Sequence, residues 1–155
     1  MGKVQARLCR ELILYARQLA WLYAVPQLPP RPNGEKQGEP NKLSRFDAMK
    51  RDKINPRMPP NPMPHFIEWF TDIGMVESGG MAAAPLGWTT IANWQQGMAV
   101  TLEPWEVKLL RDLSIAYLAQ KSNSELTTDA PPWGVPGVTQ SERAADEAAL
   151  EDVLG

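Results

Sequence analysis

Fifteen prolines, most of them gathered in three stretches, limit what this 155-residue chain can form. A proline fixes its own φ, has no N–H to donate, and pushes the preceding residue out of the helical region. Pro26, Pro29, Pro30, Pro32 and Pro40, with Gly34 and Gly38, read as a partly extended linker over 26–41. Pro56, Pro59, Pro60, Pro62 and Pro64 make a second stretch. Pro131, Pro132 and Pro136, with Gly134 and Gly137, make a third. Regular structure is confined to the intervals between them.

In those intervals apolar residues recur at helical spacing. Val4, Leu8, Leu12, Tyr15, Leu19 and Leu22 follow each other by four, four, three, four and three, which predicts a helix over 3–24. Ile13 and Leu14 widen its apolar side, so it should meet more than one neighbour. A short basic helix is expected over 44–54, with Ser44 as its cap and Asp47 completing a variant of the capping box.

Three helices are expected in quick succession after Pro64. The first covers His65–Ile73, with Phe66, Trp69, Phe70 and Ile73 on one face and a stop at Gly74. The second covers Thr89–Gln96, capped by Thr89 and stopped at Gly97, with Trp88, Ile91 and Trp94 in line. The third covers Pro104–Gln120. Its core face is Trp105, Leu109, Leu113, Ala116 and Tyr117, with Leu110 and Leu118 adding to it. Residues 78–85 read as a loop. An acidic helix over 139–154, begun by Thr139 and Glu142, closes the chain and is marginal alone in water.

The expected fold is thus all-α: a small helical domain of three short helices, an N-terminal amphipathic helix, Pro-rich linkers and a C-terminal acidic helix. Its parts divide as 1–25, 26–64, 65–120 and 121–155. No apolar alternation longer than a few residues suggests a strand, and a sheet between Phe66 and Tyr117 would sink the reading.

The formal net charge of −2 hides an asymmetry. Residues 1–57 carry twelve Lys and Arg against five Asp and Glu; residues 58–155 carry four against thirteen. Opposite halves can attract each other or meet different partners, and two ordinary solvated faces would look the same. Cys9 is the single cysteine, which excludes an intrachain disulfide, and its neighbours Leu8 and Leu12 make it a small packed hydrophobe or half-exposed thiol. No apolar run approaches the roughly 20 residues that span a bilayer, and no signal peptide is visible.

Chemistry-bearing motifs are missing from the sequence. His65 is the only histidine, no zinc-type cysteine pair occurs, and Gly79-Gly80 is not followed by the lysine of a phosphate loop. The carboxylate pairs Glu68 with Asp72 and Asp146 with Glu147 sit at spacings common on solvated helix faces. No catalytic residue, metal ligand or cofactor is therefore expected. Residues 89–120 have the outline of a helix-turn-helix, but the second helix offers Lys108 and Arg111 against Glu106 and Asp112 within an acidic half. That is the wrong sign for phosphate. Lys42, Arg45, Lys50, Arg51, Lys53 and Arg57 could form a phosphate-contacting patch, or pair with acidic protein.

The six tryptophans carry most of the remaining information. Trp69, Trp88, Trp94 and Trp105 fall on apolar faces and can be core, while buried indoles also anchor protein interfaces. Most are expected in the core and one or two at a groove. Trp133, between Pro132 and Gly134, suits a linear docking motif better than core.

These aromatics form a pattern. Pro60 to Pro64 leads into Phe66-Ile67-Glu68-Trp69-Phe70; then come Leu86-Gly87-Trp88-Thr89-Thr90-Ile91-Ala92-Asn93-Trp94 and Pro104-Trp105-Glu106-Val107-Lys108-Leu109-Leu110, ending in Ala116-Tyr117-Leu118-Ala119. The segment from Met63 to Ala119 resembles the tail assembly chaperones of siphovirus-type bacteriophages, in particular the downstream part of a frameshifted pair. The family often has Ser where Glu103 stands, so the cap of the third helix should be weaker here. Residues 1–57 and the acidic C-terminal helix lie outside the resemblance.

The resemblance implies a non-enzymatic helical protein that acts during tail morphogenesis. It implies binding to the tape measure protein and to tail tube subunits, with self-association possible, no membrane, and nucleic acid disfavoured by charge. It implies work in the cytoplasm of the infected host and absence from the mature virion. Trp69, Phe70, Trp88, Trp94, Trp105 and Tyr117 are the candidate partner-binding residues. A structural tail protein and a small nucleic-acid-binding regulator are the alternatives.

Overall fold

The computed structural model describes residues 2–27, 41–126, 129–134 and 138–139. Helix α1 spans Lys3–Tyr23, α2 Arg45–Arg51, α3 Pro64–Ile73, α4 Trp88–Met98 and α5 Pro104–Asn123. Strand β1 is Ile54–Asn55, β2 Val76–Ser78, β3 Ala83–Pro85 and β4 Val138–Thr139. The acidic helix expected over 139–154 lies outside the described residues, apart from Thr139 in β4, as does most of the linker over 26–41.

One apolar core joins α1, α3, α4 and α5. It contains Leu12, Ala16 and Ala20 of α1, Phe66, Ile67 and Phe70 of α3, Ile91 of α4, and Leu109, Leu110, Leu113 and Tyr117 of α5, together with Leu86 and Leu102. The closest partnership is between α1 and α5. Leu12, Ala16 and Ala20 recur every four residues and are fully buried, so two small side chains let the α1 backbone approach α5. The buried stripe is therefore displaced from the one drawn through the large apolar residues. Val4 is exposed, and Tyr15 and Leu19 are half-buried. A second contact of α1, against α2, matches its wide apolar side. Tyr23 and Phe46 meet there edge to face at 5.7 Å.

The helix ends follow local chemistry. Ser44 Oγ accepts from the Asp47 N–H at 3.1 Å and caps α2 as expected. Gly74 ends α3 with a φ of 111°. The Met75 N–H returns to the Phe70 carbonyl at 3.0 Å, the bond that closes a left-handed helix end. Helix α4 begins one residue before Thr89, with Gly87 at the cap position, and continues through Gly97. Its left-handed end is Ala99, at a φ of 54°, because the Val100 N–H bonds back to the Gln95 carbonyl at 3.0 Å. At the start of α5 the Glu106 carboxylate accepts from the Glu103 N–H at 2.9 Å, the reciprocal half of a capping box. The Glu103 carboxylate accepts from the Trp105 indole, in keeping with a weaker cap than Ser would make.

The all-α expectation needs correction. Residues 76–85, read as a loop from Ser78, form an antiparallel hairpin in which Val76 faces Pro85, Glu77 faces Ala84 and Ser78 faces Ala83. Strand β1 pairs antiparallel with β4, Ile54 opposite Thr139. A two-stranded hairpin is marginal in isolation, and this one is held from outside. Ser114 Oγ in α5 donates to the Met75 carbonyl at 2.6 Å and accepts from the Leu86 N–H at 2.9 Å. Those bonds depend on a residue 28 and 39 positions away from its two partners, which explains why no local pattern announced the strands. The hairpin thus meets the condition set against the reading, a sheet between Phe66 and Tyr117. It packs on α5 beside a helical core that is intact, so it adds to the helical unit and does not replace it.

Candidate functional site

Helix α3 sorts its aromatics onto two faces. Phe66 and Phe70, four apart, point into the core and are shut off from solvent. His65, Trp69 and Asp72, four and three apart, lie on the neighbouring face toward α4 and α5. His65 is exposed and Trp69 half-buried. Trp69 meets Trp94 of α4 at 6.1 Å and His65 at 5.0 Å, both edge to face. Phe66 lies beneath, 5.3 Å from Trp69 and 5.6 Å from Trp105 at the start of α5. Trp94 and Trp105 are also half-buried. The result is an aromatic surface of His65, Trp69, Trp94 and Trp105, backed by the core.

Carboxylates hold its indoles in place. Trp94 Nε1 donates to Asp72 Oδ2 at 2.8 Å, and Trp105 Nε1 donates to Glu103 Oε2 at 2.8 Å. Each bond satisfies the one polar atom of its indole and leaves the ring's carbon surface as the contact area. Beside Asp72, Ile67, Glu68 and Thr71 line a shallow recess of about 520 Å³. A second open recess, lined by Ala92, Gln95, Gln96, Ala99, Val100 and Thr101, runs along the end of α4. Aromatic carbon framed by acids is suited to binding a polypeptide.

The six sequence candidates separate into three sets. Trp69, Trp94 and Trp105 come together, and Trp88 stands apart at 55% exposure with the Arg111 guanidinium 5.1 Å from its ring centre. Phe70 and Tyr117 face each other inside the core at 5.8 Å and reach essentially no solvent. Burial pushes the Tyr117 hydroxyl up to about 12, with Tyr23 adding a smaller push in the same direction. None of Trp69, Trp88, Trp94 and Trp105 is fully buried, where most are expected in the core and one or two at a groove. The fully buried indole among the described residues is Trp21 of α1, at 4% exposure. The Trp133 N–H is bonded to Gln18 Oε1 of α1 at 3.2 Å, so that part of the segment lies against the chain itself. Gln18 also donates to the Arg57 carbonyl at 3.1 Å and draws the second proline stretch onto α1.

Several residues that organise the unit gave no sequence signal. Arg45, counted above in a basic patch, is buried and bonded to three carbonyls, so it is not available to phosphate. Glu77 accepts from the Gly87 N–H at 2.6 Å and from the Thr90 hydroxyl, which caps α4 from the hairpin. Arg111 Nη1 donates to the Leu86 carbonyl at 2.9 Å. Only the like-charged neighbours of Arg45 kept to the surface: Lys42, Lys50, Arg51 and Lys53 are exposed. Cys9 is half-buried, and burial, with Asp112 second, raises its thiol. Among the described residues no helix is long and apolar enough to cross a membrane.

The family model described as phage tail assembly chaperone matches residues 47–119. Over those residues the chain is similar to the phage tail assembly chaperone family. The matched segment begins inside α2, ends near the end of α5, and contains the whole aromatic surface. Helix α1 lies outside the match yet supplies Leu12, Ala16 and Ala20 to the core beneath it. The family points to a role in tail assembly and to interaction with tail proteins. Comparison with curated proteins and with solved structures gives no match.

Proposed function

We propose that this chain is a non-enzymatic tail assembly chaperone that binds the tape measure protein, and recruits tail tube subunits to it, through the surface of His65, Trp69, Trp94 and Trp105. One observation supports this most directly: the family match and the half-exposed aromatic surface fall on the same residues. A tape measure protein is long and helical, and its apolar stripes aggregate until the tail forms around it. Indoles fixed by Asp72 and Glu103 offer broad apolar contact at little entropic cost, because their rings are already ordered. The chaperone would cover those stripes in the host cytoplasm and leave as tube subunits take its place.

The test is co-expression with a tape measure protein encoded in the same genome. The tape measure should stay soluble with the native chain and precipitate with the Trp94→Ser, Trp105→Ser variant, whose helicity is checked by circular dichroism. A folded double variant that keeps the tape measure soluble would overturn the reading. Mass spectrometry of purified particles should find the chain missing; its presence in stoichiometric amount would favour a structural tail protein.

A further inference from the structure

The surface just described has a charge of one sign. From Met58 to Val107 the sequence has no lysine or arginine, while it holds Glu68, Asp72, Glu77, Glu103 and Glu106. Glu77 is used internally, on Gly87 and Thr90. The other four lie on α3 or at the start of α5, around the aromatic rings. Two of them are bonded to indole N–H groups. A carboxylate that accepts from an indole N–H pushes electron density into the ring, and an electron-rich ring attracts a cation more strongly. Asp72 also borders the recess beside Ile67, Glu68 and Thr71, where the stem of a long side chain can lie on apolar wall with its charged end beside two acids.

Resting on the chaperone reading, we infer that the face of His65, Trp69, Trp94 and Trp105 accepts a lysine- or arginine-bearing amphipathic helix of a partner protein. The partner's apolar residues pack on the indoles. Its cations lie over the Trp94 and Trp105 rings and beside Glu68, Asp72, Glu103 and Glu106. An acidic segment is repelled, and so is a nucleic-acid backbone. The face thereby selects among apolar helices by charge, which a purely apolar groove would not do.

The experiment uses the full chain and two synthetic helices of about five turns, one of leucine and lysine and one of leucine and glutamate with the same pattern. The indole N–H resonances are followed by NMR. The lysine peptide should shift the Trp94 and Trp105 signals, leave Trp21 in place, and bind more weakly as salt is raised. The leucine–glutamate peptide should give no shift. The Asp72→Asn, Glu103→Gln variant should bind the lysine peptide about tenfold more weakly. Equal binding of both peptides, or shifts confined to other indoles, would overturn the inference. Shifts of Trp94 and Trp105 that follow protein concentration without peptide would also overturn it, in favour of a second copy. If the charge-removed variant loses its preference for lysine yet still keeps the tape measure soluble, the charge dependence belongs to the face and the chaperone reading stands. If the native chain binds both peptides alike and still keeps the tape measure soluble, only the inference falls.

Discussion

The Arg45 guanidinium donates to the Ser124 carbonyl at 2.6 Å, joining the first residue of α2 to the C-cap of α5. The same group donates to the Trp21 carbonyl near the end of α1 at 3.0 Å and to the Leu126 carbonyl at 2.8 Å. It lies 4.7 Å from the centre of the Trp21 ring. Two helices therefore end on one cation, where their unsatisfied carbonyls and their negative dipole ends both favour positive charge. Burial lowers the pKa of Arg45, with Asp129 opposing that effect, but an arginine stays charged over any working range. Around it, Gln120 donates to Ser124 Oγ at 2.9 Å and Ser124 donates to Asp129 Oδ2 at 2.8 Å.

Arg45→Ala should therefore cost more than a surface arginine does. It strands three carbonyls and removes the cover of Trp21, a loss of about 2–4 kcal/mol. Arg45→Lys should recover only part of that, since one ammonium cannot reach three carbonyls and stack as a plane. Urea denaturation followed by Trp fluorescence measures both. Arg51→Ala, at an exposed pair with Asp52, serves as the control and should leave the urea midpoint of the native chain unchanged.

Ser114 binds the hairpin to α5, so Ser114→Ala should loosen residues 75–86 before it unfolds the helices. The Leu86 N–H loses its partner in a fully buried position, and the Met75 carbonyl in a partly buried one. The expected cost is about 1–3 kcal/mol. Hydrogen exchange should show protection lost at Leu86 and along β2 and β3, with α1 and the middle of α5 retaining theirs. Uniform loss across all helices would show that the hairpin is not a separate unit.

How much of this was legible beforehand depends on whether a feature is local. The five helices were visible because apolar spacing, Ser44, Gly74 and Pro104 act within a few residues of themselves. The end of α4 was misplaced at Gly97 because a glycine is the usual left-handed stop. Here Gln95 fixes the end instead, its carbonyl bonded to the Val100 N–H and its side chain to the Leu102 N–H at 3.0 Å. The hairpin, the buried Arg45 and the buried Gln18 have their partners far along the chain, and no window of sequence contains both ends of those bonds. The candidate site was legible in part for the same reason. Sequence gave the apolar faces of α3, α4 and α5, but not the depth at which each ring would lie. Trp69 and Trp94 emerged half-exposed while Phe70 and Tyr117 went inside.

Gly87 and Glu77 supply a prediction about α4 alone. A Cβ at Gly87 would come within 2.8 Å of Glu77 Oε1. Gly87→Ala should therefore push the carboxylate off the helix start, where it accepts from the Gly87 N–H and the Thr90 hydroxyl. Glu77→Ala removes the same cap directly. Each should cost about 1 kcal/mol, as losses of helix caps do, and the double variant should cost little more than either single change, because both act on one interaction. Additive losses in the double variant would show that the two residues act separately.

Tyr117 supplies the pH dependence. Its hydroxyl is raised by burial to about 12 in the folded chain, against an ordinary value of 10.0 when unfolded. Between these values the folded state keeps a proton that the unfolded state gives up. Stability from this group is thus complete below pH 10, and falls as pH rises through the folded value. The ceiling on the loss is roughly 2–3 kcal/mol, from about 1.4 kcal/mol per pH unit of separation. Tyr117→Phe removes the titrating hydroxyl while keeping the ring against Phe70, and its urea midpoint should change much less between pH 9 and pH 11 than that of the native chain. If both chains lose stability in parallel over that range, the alkaline loss comes from lysines or other tyrosines, and Tyr117 does not titrate as its burial requires.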